Sequence, residues 1–297
     1  MVTGGAGFIG SHLVDALIAG AMRVRVIDNF ATGRREYLNP HADLVEADIR
    51  DPAAMRAAFD GVSCVFHLAA RPRVMFSIEH PLEAHISNVV GTLNVLIAAR
   101  DAGVRRFIFS GSSSVYGYQA VMPLHEAMTP NPLNPYALQK LTGEHYTRLF
   151  HRLYGMETLT LRYFNVFGPR MSVEGAYVTV IGVFLDQRRR GAALTIHGDG
   201  KQRRDFTHVR DAVRANLLAM DSAIADGRAI NIGRGRNLSV AEIAAMVGGP
   251  TVHRDRRPGD PQDTLADITQ AREILDWTPE VATEDGIREL ICSYPAT

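Results

Sequence analysis

Short apolar runs alternate with longer amphipathic segments over the first two-thirds of the chain. The apolar runs predict strands at residues 23–28, 42–46, 64–68, 107–110 and 158–163. The segments between them have helical spacing and predict helices at residues 11–19, 52–59, 84–102 and 136–154. Strands that alternate with helices in this order are typical of a parallel sheet covered by helices on both faces.

The pattern becomes less regular after about residue 165. Glycine and proline clusters at 168–175, 198–200, 233–235 and 258–261 predict a smaller, loop-rich lobe. A helix at 211–220 and a strand at 229–232 interrupt this region, and we expect the strand to return to the main sheet. The sequence therefore predicts a doubly wound α/β fold. Residues 1–164, with about 207–232, form its larger domain, and residues 165–206 and 233–297 form an interleaved second lobe.

The composition excludes several classes of protein. The 297 residues include 32 basic and 32 acidic side chains, so no net charge attracts nucleic acid or an anionic membrane. The sequence pattern predicts no signal peptide and no continuous apolar run of the ~18–20 residues that span a bilayer. Two distant cysteines predict no disulfide framework, and eleven scattered histidines without a ligand motif predict no metal site. We expect a soluble, cytoplasmic protein.

A glycine-rich turn opens the chain in "TGGAGFIGSHL". Gly4, Gly7 and Gly10 precede an amphipathic helix, and glycine lets a backbone turn tightly against a pyrophosphate at a helix N-terminus. The next predicted strand ends at Asp28, where a carboxylate binds the adenosine ribose hydroxyls and favours NAD over NADP. The basic pair Arg34–Arg35 leaves NADP open. These features predict a Rossmann-type, NAD-binding larger domain.

The third predicted strand is followed by "EADIRD", which contains Asp48 and Ile49. One interpretation places Asp48 on the adenine amino group and Ile49 against the adenine ring. The other makes Asp48 an N-cap for the helix that begins at Pro52. The residues alone leave both open.

Tyr136 precedes Lys140 by one helical turn in "PNPLNPYALQKLTGE", so the two side chains share a helix face. Lys140 is one of only two lysines, the other being Lys201. A phenol titrates near pH 10, and its pKa must fall by roughly three units, or about 4 kcal/mol, before it can act as a base. A nearby ammonium and a positive nicotinamide ring are expected to lower the pKa of Tyr136 together.

Six motifs occur together in one order: "TGGAGFIG", "FHLAA", "FIFSGSSSVYG", "NPYALQK", "LRYFNVFGPR" and "GDGKQRRDF". With them the chain resembles the extended short-chain dehydrogenase/reductases, and among these the NAD-dependent nucleotide-sugar epimerases that act on UDP-glucose or UDP-N-acetylglucosamine. The similarity runs from residue 3 to about residue 277. In this family several more strand residues usually precede the first glycine, so we expect a short first strand and a trimmed start.

The resemblance implies a set of site residues. Tyr136 would be the base, Lys140 would hold the nicotinamide ribose, and Ser112 would assist. The implied cofactor-binding residues are Gly4, Gly7, Phe8, Ile9, Gly10, Asp28, Asn29, Asp48, Ile49, Leu68, Ala69, Ala70, Asn88, Tyr136, Lys140 and Tyr163. The implied substrate-binding residues are Ser112, Asn165, His197, Arg204, Arg257, Asp260 and Thr264.

The resemblance also implies a reaction, a 4-epimerisation through transient C4 oxidation by bound NAD+ and non-stereospecific return of the hydride. Thr264 and "GAYVTVI" at 175–181 favour an N-acetylhexosamine substrate. Uronate-type epimerases, however, can also carry a threonine at the position of Thr264. Ser113 and Ser114 stand where dehydratases and decarboxylases carry acidic or basic helpers, which favours simple inversion. A dehydratase, a net NAD-dependent dehydrogenase and a non-catalytic NAD-binding regulator remain the alternatives. Two helices, at 84–102 and 136–154, are expected to form a homodimer interface.

Overall fold

A seven-stranded parallel sheet occupies the centre of the structure. A computed structural model of the chain describes residues 1–173, 179–255 and 262–294. Its strands are β1 Val2–Thr3, β2 Arg25–Asp28, β3 Asp43–Glu46, β4 Cys64–His67, β5 Arg106–Ser112, β6 Glu157–Tyr163, β7 Val166–Phe167, β8 Leu194–His197, β9 Arg203–Asp205, β10 Thr207–His208, β11 Asp226–Ile232, β12 Asn237–Ser239 and β13 Thr251–Arg254. The large sheet has the order β11-β6-β5-β4-β1-β2-β3, and β7–β10, β9–β12 and β8–β13 form three small pairs.

The helices are α1 Phe8–Ala19, α2 Pro52–Ala58, α3 Val74–Glu79, α4 Pro81–His85, α5 Thr92–Asp101, α6 Pro135–Tyr154, α7 Val180–Arg189, α8 Val209–Asp221, α9 Val240–Val247, α10 Thr269–Leu275 and α11 Thr283–Ser293. A π-helical segment, Ile86–Gly91, joins α4 to α5. Short 3₁₀ turns lie at Arg35–Tyr37 and Ser113–Tyr116.

The predicted doubly wound α/β fold is confirmed. All neighbouring strands of the large sheet run parallel. The strand predicted at 229–232 is the end of β11 and pairs with β6, so the chain does return to the main sheet. The first strand is short, as expected, and its two residues lie between β2 and β4.

Each face of the sheet is covered by its own apolar layer. Helices α1 and α8 cover one face with side chains such as Leu13 and Ala212. Helices α2, α5 and α6 cover the other face, where Met55, Leu96 and Phe150 are buried. Because both faces of the sheet are buried, the strands carry apolar residues on both sides. They therefore appear in the sequence as continuous apolar runs.

A third apolar core lies in the C-terminal half of the chain. It joins α7, α9 and α11 through residues such as Phe184, Ile243 and Leu290. The segment that contains Ile268 and Trp277 packs instead with the α1–α8 layer of the large sheet. The division into a larger domain and a second lobe at the boundaries given above stays a prediction.

The helical segment Pro81–Asp101 has a mean hydropathy of 1.3 and is, by length and composition alone, long and apolar enough to cross a membrane. However, 56% of that window is buried inside the fold. Packing against α2 and α6 accounts for its apolar composition.

A buried ion pair fastens α6 to the sheet. Arg162 on β6 donates from Nε and Nη2 to the two carboxylate oxygens of Glu144, at 2.9 and 2.6 Å. The exposed fractions of Glu144 and Arg162 are 1% and 2%. The guanidinium also lies 4.8 Å from the ring centroid of Tyr116. Two-point bonding of this kind fixes both the position and the rotation of the helix.

Removing one partner should destabilise the fold strongly, because it leaves the other charge buried and unpaired. We expect Glu144→Gln to lower the free energy of unfolding by about 3–5 kcal/mol in urea denaturation. The exposed pair Asp226–Arg228 supplies a control, since Asp226→Asn should cost less than about 1 kcal/mol. Equal losses in the two variants would contradict this role for Glu144.

Candidate active site

A cavity of about 640 Å³ opens where the strands of the large sheet end. It lies at the point where the strand order reverses between β1 and β4, the place at which doubly wound sheets bind ligands. Every residue predicted to bind the cofactor lines this cavity except Asn88. The cavity is also lined by Ser110 and Gly111 of β5.

The glycine turn forms one wall of the cavity. The Gly7 N–H donates to the Gly4 carbonyl at 3.1 Å, and Gly4 has φ +73°. A Cβ at Gly10 would lie 2.1 Å from the Gly4 oxygen, and one at Gly4 would lie 2.8 Å from the nitrogen of Ala69. In this described region no side chain caps the N-terminus of α1. Glycine at these positions therefore lets the turn pack closely against the start of α1 and the loop after β4, and the uncapped N–H groups of α1 suit a pyrophosphate.

Asp28 lies at the end of β2 with an exposed fraction of 8%. Its carboxylate accepts hydrogen bonds from the N–H groups of Ala6, at 2.9 Å, and Phe30, at 2.8 Å. Burial raises the pKa of Asp28, and these hydrogen bonds offset part of the increase. The two backbone donors fix the carboxylate on the cavity wall, where it fits ribose hydroxyls.

Asp48 does not cap the next helix, and this alternative is wrong. The N-cap is Asp51, which accepts from the N–H groups of Ala53 and Ala54. Asp48 instead lines the cavity and accepts a hydrogen bond of 2.7 Å from Asn29. A salt bridge to Arg50 lowers its pKa to about 2.

The opposite end of the cavity holds the tyrosine–lysine pair. Asn134 caps α6 by accepting from the Ala137 N–H at 2.9 Å, and the Tyr136 N–H donates to Ser77 Oγ at 3.0 Å. Lys140 Nζ donates to the Ser110 carbonyl at 2.8 Å. The side chains of Tyr136 and Lys140 both face the cavity.

A chain of hydroxyl groups supports Tyr136. Its phenol is hydrogen-bonded to Ser112 at the end of β5. The Ser112 oxygen accepts from the Ser114 hydroxyl at 2.8 Å and from the Ser114 N–H at 3.2 Å. Two donors aimed at the Ser112 oxygen direct its own proton toward the phenol. Sequence reasoning missed this role of Ser114, because the pattern showed only that Ser114 is no acid or base.

The protein's own groups shift the pKa of Tyr136 upwards. Burial raises it to about 12, and the hydrogen bond from Ser112 offsets part of the increase. Burial also lowers the pKa of Lys140 to about 8. The combined effect of Lys140 and a nicotinamide ring on the pKa of Tyr136 stays a prediction, and in the protein alone burial and Ser112 are what shift this pKa. Lys140 donates to the carbonyl of Ser110, and its head lies 5.0 Å from the ring of Phe109.

Cations outnumber carboxylates in the cavity wall. Within the described residues its carboxylates are Asp28 and Asp48, and its cations are Arg34, Arg71, Arg73, Lys140 and Arg170. This balance suits a ligand that carries several phosphate groups. Sequence reasoning missed Arg71, Arg73 and Arg170, although the motif "NVFGPR" contains Arg170.

A second cavity of about 370 Å³ brings together Asn165, His197 and Arg204, which were predicted to bind substrate. Val166 and Thr179 line both cavities, so the two are adjacent. The Asn165 amide donates to the Asp205 carbonyl at 2.8 Å. Arg204 donates to the Gln262 carbonyl at 3.2 Å.

Of the remaining substrate predictions, Ser112 and Thr264 lie in the described part of the chain, and Ser112 lines neither of these two cavities. Thr264 lines neither of them, and its hydroxyl accepts from the Asp205 N–H at 3.3 Å. Arg257, Asp260 and residues 175–178 of "GAYVTVI" lie outside the described residues. Among residues 1–173, 179–255 and 262–294, no cluster of three potential metal ligands occurs.

Comparisons with known proteins agree with this geometry. The model of the NAD dependent epimerase/dehydratase family matches residues 1–233. A UDP-glucose 4-epimerase of Mycolicibacterium smegmatis is 37% identical over 98% of this chain and 96% of its own length. The structure of a UDP-glucose 4-epimerase of Thermotoga maritima with UDP-glucose has a TM-score of 0.94 and 38% identity, over 99% of this chain and 97% of the other. A UDP-N-acetylglucosamine 4-epimerase of Methanobrevibacter ruminantium, in complex with UDP-N-acetylmuramic acid, has a TM-score of 0.93 and 36% identity, over 98% and 96%.

The pKa of Lys140 makes the stability of the fold depend on pH. Because burial lowers this pKa from 10.5 to about 8, the unfolded chain holds a proton between these values that the folded chain has released. The cost of burying the ammonium is complete below about pH 8 and disappears as the pH rises through this window. The free energy of unfolding should therefore increase by up to ~3 kcal/mol relative to Lys140→Met.

Urea denaturation of both proteins near pH 7 and near pH 10 measures this difference. Both are freed of nucleotide first, because a bound ligand adds its own pH dependence. Parallel changes in the two proteins would show that Lys140 keeps an ordinary pKa.

Proposed function

The chain belongs to the NAD-dependent epimerase/dehydratase family, and from this premise we propose that it is a nucleotide-sugar 4-epimerase. Its substrate is a UDP-hexose or a UDP-N-acetylhexosamine, and its cofactor is NAD. One observation carries the proposal. A single cavity joins the glycine turn and Asp28 to Tyr136 and Lys140, and it adjoins a second cavity that holds Arg204.

The residues present fit a dinucleotide. The wall at Gly4 and Gly10 has no room for a Cβ, and Asp28 stands at the strand end where the adenosine ribose binds. Lys140 lies on the same cavity wall as Tyr136, so its ammonium is available to ribose hydroxyls at the nicotinamide end. When bound there, NAD supplies reversible two-electron oxidation of the sugar carbon and a positive charge beside the phenol.

Tyr136 takes the proton of the C4 hydroxyl and later returns it. A phenol with a pKa of about 12 needs a shift of about five units, or ~7 kcal/mol, to be half ionised near pH 7. The hydrogen bond from Ser112, which Ser114 aligns, already holds the pKa below the value that burial alone would give, so the remaining shift comes from positive charge near the phenol. Lys140, with a pKa of about 8, remains mainly cationic at pH 7 and contributes to the positive environment.

The side chains that line the first cavity favour inversion of the sugar over elimination of water. Dehydration requires a further acid or base beside the sugar. In the described part of the cavity the carboxylates are Asp28, at the end of β2, and Asp48, which follows β3, whereas Tyr136 lies beside β5, and β4 and β1 separate it from both in the sheet. Ser113 and Ser114 provide hydroxyl groups that do not titrate near pH 7.

The second cavity is assigned to the nucleotide diphosphate. Arg204 offers a planar donor suited to phosphate oxygens, and Asn165 and His197 lie on the same wall. The UDP-sugars in the two similar solved structures support UDP as the nucleotide. The described residues do not decide between a C2 hydroxyl and a C2 acetamido group on the sugar.

The protein is proposed to form a cytoplasmic homodimer. Leu138, Leu149 and Leu153 on α6 are 44–68% exposed, and Leu82 on the adjacent helical segment is 71% exposed. A row of exposed leucines on neighbouring helices suits a self-complementary interface of two copies.

The assignment predicts interconversion of C4 epimers without net reduction of NAD. UDP-glucose, UDP-N-acetylglucosamine and other nucleotide sugars are incubated with the protein, and the products are resolved by NMR.

Tyr136→Phe should lower kcat by about 10²- to 10⁴-fold, the range for a lost acid–base group, while NAD remains bound. Tyr154→Phe, at the exposed end of the same helix, is the matched control. NADH released stoichiometrically would identify a dehydrogenase, and full activity of Tyr136→Phe would refute its role as the base.

The dimer is tested by sedimentation equilibrium. Leu138→Glu should weaken self-association at least tenfold, because it places a charge in the apolar interface. Ile224→Glu, at an exposed site beyond α8, should leave association unchanged. A monomeric parent protein would end the proposal.

A further inference from the structure

His67 lies at the end of β4 with an exposed fraction of 1%. Its Nδ1 is 2.7 Å from Thr3 Oγ1 on β1, and its Nε2 is 2.9 Å from Thr92 Oγ1 at the start of α5. The rings of Phe107 and Phe109 pack against the imidazole, each with its centroid 5.9 Å away. Both nitrogen atoms therefore have a fixed partner inside the core.

The neighbouring bonds determine which nitrogen carries the proton. Thr92 donates its single hydroxyl proton to the Asn88 carbonyl at 2.7 Å, so its oxygen must accept from His67 Nε2–H. Burial, with Lys140 nearby, lowers the pKa of His67 to about 3, and the ring is neutral at physiological pH. Nδ1 then has no proton and accepts from the Thr3 hydroxyl, while the Thr3 oxygen accepts from the Ala69 N–H at 3.3 Å.

The result is a hydrogen-bond chain that runs in one direction. It starts at the Ala69 N–H and passes through Thr3, His67 and Thr92 to the Asn88 carbonyl. Each of the three side chains, Thr3, His67 and Thr92, donates one hydrogen bond and accepts another. Such a fully satisfied buried network holds its members in one arrangement, because any alternative leaves a buried polar group unpaired.

One end of this hydrogen-bond chain lies in the cavity wall of the candidate active site, and the other end lies behind that wall. Ala69 lines that cavity directly. The Asn88 side chain accepts from the Arg71 N–H at 2.7 Å, donates to the Arg71 carbonyl at 3.1 Å, and donates to Gln139 Oε1 at 2.7 Å. Gln139 directly precedes Lys140 on α6. The sequence prediction placed Asn88 on the cofactor, and the structure places it behind the cavity wall.

We propose that His67 is a positioning residue, held as the neutral Nε2–H tautomer, that fixes the loop Leu68–Arg71 and the catalytic helix α6 around the cofactor. It touches neither substrate nor cofactor and acts through Ala69 and Asn88. The inference rests on the proposed function only in taking this cavity as the NAD site.

The tautomer is tested by ¹⁵N NMR of the imidazole groups in the holoprotein. The resonances of His67 are identified as those missing from His67→Gln. We expect a protonated Nε2, an unprotonated Nδ1, and no change between about pH 6 and pH 8. A proton on Nδ1, or titration in this range, would overturn the proposal.

The positioning role is tested by retention of NAD in the absence of sugar. Thr3→Val and Thr92→Val each remove one hydroxyl from the chain and should raise the Kd for NAD by about five- to tenfold, the effect of one lost buried hydrogen bond. Thr160→Val is the matched control, because the Thr160 hydroxyl is buried on the same sheet and has no hydrogen-bond partner among the described residues. An equal effect in the control and in the two chain variants would overturn the proposal.

A second pair of variants keeps the test decisive if Thr3→Val does not fold. His67→Gln retains a group that both accepts and donates, whereas His67→Phe retains only the ring shape. We expect His67→Gln to retain NAD more tightly than His67→Phe, and equal retention would contradict the role of the nitrogen atoms. Because these readouts involve no sugar, they remain valid if the protein binds NAD but is no epimerase.

Discussion

The attachment of α6 to the sheet is the interaction on which the rest of the site depends. Three residues at successive turns of this helix, Tyr136, Lys140 and Glu144, point at the strands beneath them. Tyr136 is bonded to Ser112 on β5, Lys140 to the Ser110 carbonyl on the same strand, and Glu144 to Arg162 on β6. A residue spacing of four keeps them on one face. The ion pair fixes the position of α6 on the sheet, and this position places Tyr136 and Lys140 beside the end of β5.

This arrangement carries an electrostatic cost that a ligand can relieve. Burial shifts the pKa of Tyr136 upwards and that of Lys140 downwards, so the fold disfavours the charged form of both. A positive group near the phenol stabilises the phenolate, and negative phosphates stabilise the ammonium and the arginines around the cavity. The protein supplies a rigid frame and the Ser112 hydroxyl, whose hydrogen bond lowers the pKa of the phenol. The charge that activates the phenol therefore comes largely from what binds beside it.

Local features were predictable from the sequence, and contacts between distant segments were not. The apolar runs give the strands, and the glycine spacing and Asp28 give the cofactor wall, because each depends on neighbouring residues. Asp48 and Asp51 are equally good caps by type, and only the path of the chain decides that Asp51 bonds to Ala53 and Ala54. His67 is separated by 64 residues from Thr3 and by 25 from Thr92, so no local pattern indicates their hydrogen bonds. Burial raises the pKa of Tyr136 in the protein alone, and the extent of that burial cannot be read from a four-residue spacing.

The use of Tyr136 as the single proposed acid–base group limits how tightly the sugar can be held. In the proposed reaction Tyr136 serves both the removal and the return of the proton, so inversion requires the oxidised sugar to present its other face to the same group. The sugar must then turn while the nucleotide stays bound. The positions of the predicted substrate residues agree with a fixed nucleotide and a turning sugar, because Arg204, Asn165 and His197 lie together in the second cavity. Near Tyr136 the described wall has no carboxylate to grip the sugar hydroxyls. In the proposed reaction, strong binding of the diphosphate combined with weak binding of the hexose would allow this rotation.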